Sequence, residues 1–341
     1  MEAVKTCVKS RHYAIFERAL EKSADLTGKA ERAIANYFIE KGEPLDGMCF
    51  AVVGSAGRRE ALEASDLDLI PIAANAQRLA QYVPHDFDLR RVLAEAVGVQ
   101  VSRGEDLTKA TSIEELVEID SIGGTADTSG RLTKRVLLLT ESTQAAGLLP
   151  IRQVREALLD AYANQERTSG RHVLALCNDI SRYYKTLCIE YKAKIDDQDK
   201  DWCTRNIKLR HSRKLWYFAN ILAVATLADK HPQGEQAFKD SLLDSFEKSP
   251  IQRLAGALSE QQPLALGRLL ESYALYLEFM SSEANRAALR AVQHERRYEM
   301  SLSNPFPMMK FSSDLLHNEI MSIMEEMGPA MRARIMGWFL L

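Results

Sequence analysis

Hydrophobic and polar positions change rhythm twice along the chain. From about residue 9 to 40, Tyr13, Phe16, Leu20, Ile34, Tyr37 and Phe38 recur at helical spacing, so this stretch reads as one helix that Gly28 is placed to interrupt. Lys41, Gly42, Glu43 and Pro44 end it. The period then shortens. Residues 48–53 are a short apolar run ending in Gly54 and Ser55, the pattern of a buried strand, and residues 67–72 form a second strand, halted near Pro71. Residues 86–97 return to a helical period, 99–102 read as a third strand, and 112–116 as a further turn or two of helix. Gly123, Gly124, Thr125, Ala126, Asp127, Thr128, Ser129 and Gly130 make a loop.

Past about residue 131 the strand signals disappear. Leu176, Ile180, Tyr183, Leu187 and Tyr191 line one face of a long helix, a core stripe. A charged connector at 195–201 leads to a second helix over 203–229, carrying Ile207, Phe218, Leu222 and Ala225. Further helices are predicted over 234–247, 250–258, 262–296 and 312–340. The last carries Ile320, Ile323, Met324, Met327, Met331 and Ile335 ahead of Trp338 and Phe339, a core stripe or a Met-rich partner surface. Strands followed by helices, segregated along the chain, predict an α+β fold. Residues 1–45 form an N-terminal helical segment, 46–150 the strand-containing domain and 151–341 an all-helical bundle.

Composition narrows the setting. A chain of 341 residues is long enough for two cores. Its net charge of −3 supplies no chain-wide attraction to nucleic acid or acidic membrane, so any such contact needs a local patch. The five cysteines are odd in number and include no C-x-x-C pair, as expected of buried, reduced thiols in a cytoplasmic protein. Without a signal core or a bilayer-length apolar run, the expectation is a soluble intracellular protein with no membrane partner.

The chemistry is concentrated between residues 53 and 70. A strand that ends in Gly54-Ser55 and runs into a helix leaves backbone N–H groups free to meet phosphate oxygens. Gly54 permits close backbone approach, Ser55 brings a hydroxyl, and Arg58 a planar fork suited to phosphate. On the next strand Asp66 and Asp68 stand two residues apart, so both carboxylates share a face while Leu67 and Leu69 take the other. Paired carboxylates beside a phosphate-binding turn suit Mg²⁺ or Mn²⁺.

The order G-S-x-G-R-x-E followed by S-D-x-D resembles the polymerase-β nucleotidyltransferase superfamily, in particular the branch containing PII uridylyltransferase and glutamine synthetase adenylyltransferase. The resemblance implies a small mixed sheet with flanking helices, followed by a helical domain that closes over the nucleotide. It implies that Gly54 and Ser55 hold the triphosphate and that Asp66 and Asp68 hold the metal and are catalytic, with Gly57, Arg58, Glu60 and Ser65 also matching. The implied reaction moves a nucleoside monophosphate from a nucleoside triphosphate, ATP or UTP, to a hydroxyl of a protein or RNA acceptor, releasing pyrophosphate. A weaker match continues over 137–147, where Glu141 and Gly147 fit and Thr143 replaces the family's arginine. Many relatives carry a third carboxylate on the next core strand. Here 99–102 has none, leaving Glu105, Asp106 or Glu141 as substitutes, or else a degenerate domain that senses nucleotide or binds a partner.

In the helical half Asn178, Arg182 and Lys185 share one face, and Arg205, Lys208 and Ser212 another, with Arg210, Arg213 and Lys214 alongside. Antiparallel packing of these helices joins the faces, and the resemblance implies that Lys185, Arg205 and Lys208 meet the triphosphate. A competing pattern, Arg205-Asn206 followed by His211, resembles the R-N-x-x-x-x-H motif of HEPN-type ribonucleases, whose domains commonly dimerise. A homo-oligomer or a partner protein is therefore a further expectation.

Overall fold

A computed structural model describes residues 1–104, 106–118, 122, 127–165, 172–193, 201–231 and 236–339. It is an α+β fold, mostly helical with a small mixed sheet. The elements are α1 (Glu2–Cys7), α2 (Ser10–Lys41), β1 (Met48–Val53), α3 (Gly54–Gly57), β2 (Asp68–Ala73), α4 (Ala76–Tyr82), α5 (Asp86–Val97), β3 (Thr111–Ser112) and α6 (Ile113–Leu116). They continue with α7 (Ser129–Thr140), β4 (Thr143–Ala146), α8 (Ile151–Gln165), α9 (His172–Ala193), α10 (Trp202–Lys208), a π-helical turn (Leu209–Arg213) and α11 (Lys214–Lys230). The last are α12 (Gln236–Phe246), α13 (Pro250–Leu258), α14 (Pro263–Ser281), α15 (Glu283–Arg290), α16 (Phe306–Glu326) and α17 (Pro329–Phe339). No helix among the described residues is long and apolar enough to cross a membrane.

The chain divides into two compact units that interleave in sequence. One comprises residues 18–179 and 231–249; the other comprises 1–17, 180–230 and 250–341. The unit boundaries therefore fall inside α2 and α9. They also cut across the segments read from the sequence, because 151–179 and 231–249 group with the sheet.

In the sheet-containing unit the strand order is β3-β2-β1-β4, with β1 antiparallel to β2 and β4, and β2 parallel to β3. Alternation sends Met48, Phe50 and Val52 of β1 and Leu67, Leu69 and Ala73 of the second strand segment to one face. There they bury against Phe38 of α2, Tyr82 of α4, and Leu89 and Leu93 of α5. Cys49, Ala51, Val53, Ile70 and Ile72 are buried on the opposite face. There burial pushes the Cys49 thiol up to about 12, so it is an inert packing group. Gly28 does not break α2, which runs through it.

Three strand expectations change. Pro71 does not halt β2, where it pairs with Phe50 in mid-strand. The N–H groups of Leu67 and Leu69 point away from β1, to the Gln100 carbonyl at 2.9 Å and the Ser102 hydroxyl at 3.2 Å. Pro71, in the same phase, loses its donor on that side and costs β1 nothing. Residues 99–102 form a single bridge, Leu67 to Val101, and not a strand. Buried Arg90 instead fixes the following loop, donating to the carbonyls of Ser102 at 2.8 Å and Thr108 at 2.7 Å. The third strand is Thr111–Ser112 and a fourth, β4, lies beyond residue 131, where the sequence predicted only helices. The loop residues 123–126 and the connector residues 195–200 lie outside the described residues.

α7 starts on an N-cap, the Thr128 hydroxyl accepting from Arg131 N–H at 3.3 Å. Buried Arg155 caps its far end, donating to the Leu138 carbonyl at 3.1 Å and the Ser142 carbonyl at 2.6 Å, with a cation placed on the negative end of the helix dipole. Midway, Arg135 joins Asp127 and, at 3.0 Å, Asp179, while the Tyr162 hydroxyl donates to Asp179 at 2.7 Å. These three charged side chains have zero exposure.

In the other unit α11 is buried along most of its length by Leu215, Trp216, Phe218, Ala219, Leu222 and Val224, as expected of a central helix. Tyr183 meets Trp216 edge-on at 5.4 Å, and Tyr184 stacks on Tyr217 at 4.4 Å. The expected stripe on α9 is buried at Leu176, Ile180 and Tyr183. Helix 262–296 is split at Ser282, whose hydroxyl accepts from Asn285 N–H at 3.3 Å and starts α15. Helix 312–340 is split between Glu326 and Pro329.

Candidate functional site

β1 delivers the chain into α3, and the backbone reverses there because Gly54 adopts φ +71°. A Cβ on Gly54 would lie 2.7 Å from Oδ2 of Asp68, closer than real contacts permit. Glycine suits the turn because of its positive φ, and a side chain there would also make the Asp68 carboxylate turn aside. Asp68 stands opposite Val53 at the start of β2, half-buried, with Asp66 exposed just before it. Leu67 and Leu69 are buried on the face opposite Asp68, while Asp66 precedes the strand and is exposed. Both donors are carboxylate oxygens, the chemistry a hard divalent cation selects. Among the described residues no cluster of three His, Cys, Asp or Glu forms.

The turn is closed by its own backbone. Arg58 N–H donates to the Gly54 carbonyl at 3.0 Å and Glu60 N–H to that of Ser55 at 2.8 Å. Ser55 is half-buried at the turn. Arg59 has φ +63°, the one non-glycine residue of positive φ among the described residues. Such a conformation costs a side-chain-bearing residue about 1 kcal/mol. Its guanidinium donates to the Glu247 carbonyl at 3.0 Å, past the end of α12. Ser65 closes the next bend, its hydroxyl accepting from Leu62 N–H at 2.9 Å.

Arg58 differs most from expectation. It is 5% exposed, with Nε on Glu60 at 3.1 Å and Nη1 on the carboxylate of Glu141. The fork read as a phosphate arm is taken up by two buried carboxylates. Glu141, in turn, is 2% exposed and faces Arg58, so it does not join Asp66 and Asp68 as a third ligand. Glu105 and the side chain of Asp106 lie outside the described residues. Gly57 also serves packing. A Cβ there would press into the carbonyl oxygens of Glu141 and, at 2.6 Å, Val52. Thr143 donates its hydroxyl to the Gly57 carbonyl at 3.2 Å. The sequence singles out Glu141 and Thr143 but not their contacts with the turn, and it does not point to Arg155. Their signal is the acid that ends an apolar helix, followed by two hydroxyl residues.

Lys185 and Lys208 are exposed and Arg205 half-buried, all within the second unit, whereas Gly54, Ser55, Asp66 and Asp68 belong to the sheet-containing one. Helices α9 and α11 do pack antiparallel, because Tyr184 meets Tyr217 while Cys188, one turn later, neighbours Lys214. Asn178 is exposed and Ser212 buried.

His211 is the other residue that changes role. It is fully buried in the π-helical turn, its Nδ1 3.0 Å from the Ile207 carbonyl and its ring stacked on Tyr276 at 4.5 Å. Burial lowers its pKa to about 4. A neutral imidazole sealed in the core does not offer itself to an RNA hydroxyl, which argues against the ribonuclease reading. It does predict acid sensitivity. The folded-state pKa lies below the ordinary 6.5, so the unfolded chain binds the extra proton and stability falls as pH drops from 6.5 towards 4. The loss is on the order of 3 kcal/mol and levels off below pH 4. Urea unfolding of the parent and of His211→Phe across this window should show a shallower acid slope in the variant. Equal slopes would assign the acid loss to other groups.

Searches against protein-family models, curated proteins and solved structures find no match to this chain.

Proposed function

We propose that the sheet-containing unit is a metal-dependent nucleotidyltransferase site. It moves a nucleoside monophosphate from a nucleoside triphosphate, ATP or UTP, to a protein or RNA hydroxyl, with pyrophosphate leaving. The supporting observation is the apposition of Gly54 and Asp68, in which a positive-φ glycine turn runs beside a carboxylate whose Oδ2 lies 2.7 Å from where a Cβ on Gly54 would stand. Asp66 and Asp68 would hold Mg²⁺ or Mn²⁺, which when bound polarises phosphate oxygens and neutralises charge on the departing pyrophosphate. Gly54 and Ser55 bring backbone N–H groups and a hydroxyl against the phosphates, while Arg58, Gly57 and Ser65 shape the turn from behind. The rate enhancement then comes from positioning and charge, as in phosphoryl transfer generally.

A catalytically inert version that senses nucleotide or binds a partner is the second reading, favoured by the engagement of Glu141 with Arg58. The two readings agree on binding and differ on turnover. A triphosphate with Mg²⁺ should raise the melting temperature, by about 2.7 kcal/mol of stabilisation at one hundred times its dissociation constant. The four nucleoside triphosphates labelled at the α-phosphate then separate the readings, since only the enzyme passes label to protein or RNA. If no triphosphate shifts melting at millimolar concentration, the enzyme and nucleotide-sensing readings fail and only partner binding is left.

A further inference from the structure

We propose that Arg58 and Glu141 are positioning residues of this site, a buried ion pair that fixes the Gly54–Gly57 turn against Asp68. The inference rests on the reading above and deepens it. Two stretches of chain separated by 83 positions meet in this pair. The corner between α7 and β4, residues 140–143, receives the turn at three points. Arg58 Nη1 reaches the Glu141 carboxylate, the Thr143 hydroxyl holds the Gly57 carbonyl at 3.2 Å, and Gly57 lies flat against the Glu141 backbone. Arg155 fixes the corner itself through the Leu138 and Ser142 carbonyls, and β4 pairs it to β1.

Arg58 spans two carboxylates, Glu60 through Nε and Glu141 through Nη1. The planar fork holds its donors at fixed separation and direction, a geometry that the compact ammonium of lysine does not reproduce. Both Arg58 and Glu141 are buried, so neither meets a ligand directly, and their effect passes through the turn. The turn runs beside Asp68, where a Cβ on Gly54 would lie 2.7 Å from Oδ2, so a shift of the turn moves its backbone relative to that carboxylate. Misplacing reacting groups by about 1 Å is enough to cost on the order of a hundredfold.

The test uses the full chain with Arg58→Lys, Glu141→Ala, Glu141→Gln and Asp68→Asn, each checked for folding by far-UV circular dichroism. Two affinities are read: Mn²⁺ alone by electron paramagnetic resonance, and Mn²⁺ with inorganic triphosphate, which carries the phosphates without a base. Arg58→Lys and Glu141→Ala should weaken the triphosphate complex by about tenfold or more and leave Mn²⁺ alone within about threefold. Glu141→Gln, which keeps its shape and an acceptor oxygen for Arg58, should match the parent in both. Asp68→Asn should lose Mn²⁺ binding altogether. If Asp68→Asn binds like the parent, the site assignment falls and the inference with it. If Asp68→Asn fails to bind while folded Arg58→Lys and Glu141→Ala bind triphosphate normally, or lose both affinities in parallel, the positioning role alone is overturned. Should Glu141→Ala not fold, Arg58→Lys decides the question, since it keeps the charge.

Discussion

Replacing Asp68 with alanine is expected to lower nucleotide transfer by about a thousandfold, equivalent to ~4 kcal/mol of transition-state stabilisation. The side chain is half-buried at the start of β2, on the face opposite Leu67 and Leu69, so its removal leaves the core intact. It also opens space beside Gly54, where an added Cβ now meets Oδ2 at 2.7 Å. The melting temperature should therefore move little while turnover collapses. Asp66→Ala should fall in the same direction. Activity within a few-fold of the parent in Asp68→Ala, measured with the preferred triphosphate, would remove the carboxylate pair from the mechanism.

The second large effect is on stability. Arg135→Met should destabilise the sheet-containing unit by about 3–5 kcal/mol, because it strands buried carboxylates without their cation. Asp127 and Asp179 both turn to Arg135 with no exposure of any of the three side chains, and the Tyr162 hydroxyl depends on the same arrangement. Such a loss is a large share of the margin of about 5–15 kcal/mol by which a domain of ordinary stability stays folded. Chemical denaturation of the parent and the variant measures it. A change below 1 kcal/mol would mean that the cluster reorganises around methionine, with the carboxylates protonated or hydrated.

The sheet and the turn were legible in sequence to different degrees, and the difference is physical. β1, β2 and the 86–97 helix announce themselves because each buries a face whose period is written locally, and the aspartates are legible from their spacing beside β2. β4 does not. Its residues Thr143, Gln144, Ala145 and Ala146 carry no apolar alternation, and they form a strand because β1 offers an open edge. Gln144 uses its amide on the Gly147 carbonyl at 2.9 Å and accepts from Ile151 N–H at 2.8 Å, contacts that only the folded chain creates. Pro71 misled in the opposite sense, since a proline ends a strand only if its missing N–H faces the neighbouring strand. The motif spacing located Arg58 but was silent on its surroundings, because the partner that buries it, Glu141, is 83 positions away. For His211 the spacing matched a catalytic pattern, and burial against Ile207 and Tyr276 turned the same residue into a core group.

The interleaving of the two units has a consequence for how the protein is made. A nascent chain that has just released residue 179 holds the whole sheet but lacks α12. Arg59, Arg152 and the acid at position 160 must wait for Glu247, Asp244 and Lys239 to emerge, some seconds of synthesis later at about 5–20 residues per second. Residues 1–17 wait as well, since they belong with 180–230 and 250–341. Neither unit can therefore be released as an uninterrupted fragment by a single protease cut. A ribosome-bound chain stalled at residue 179 should be cleaved by protease within the sheet-containing unit more readily than one stalled well beyond residue 249.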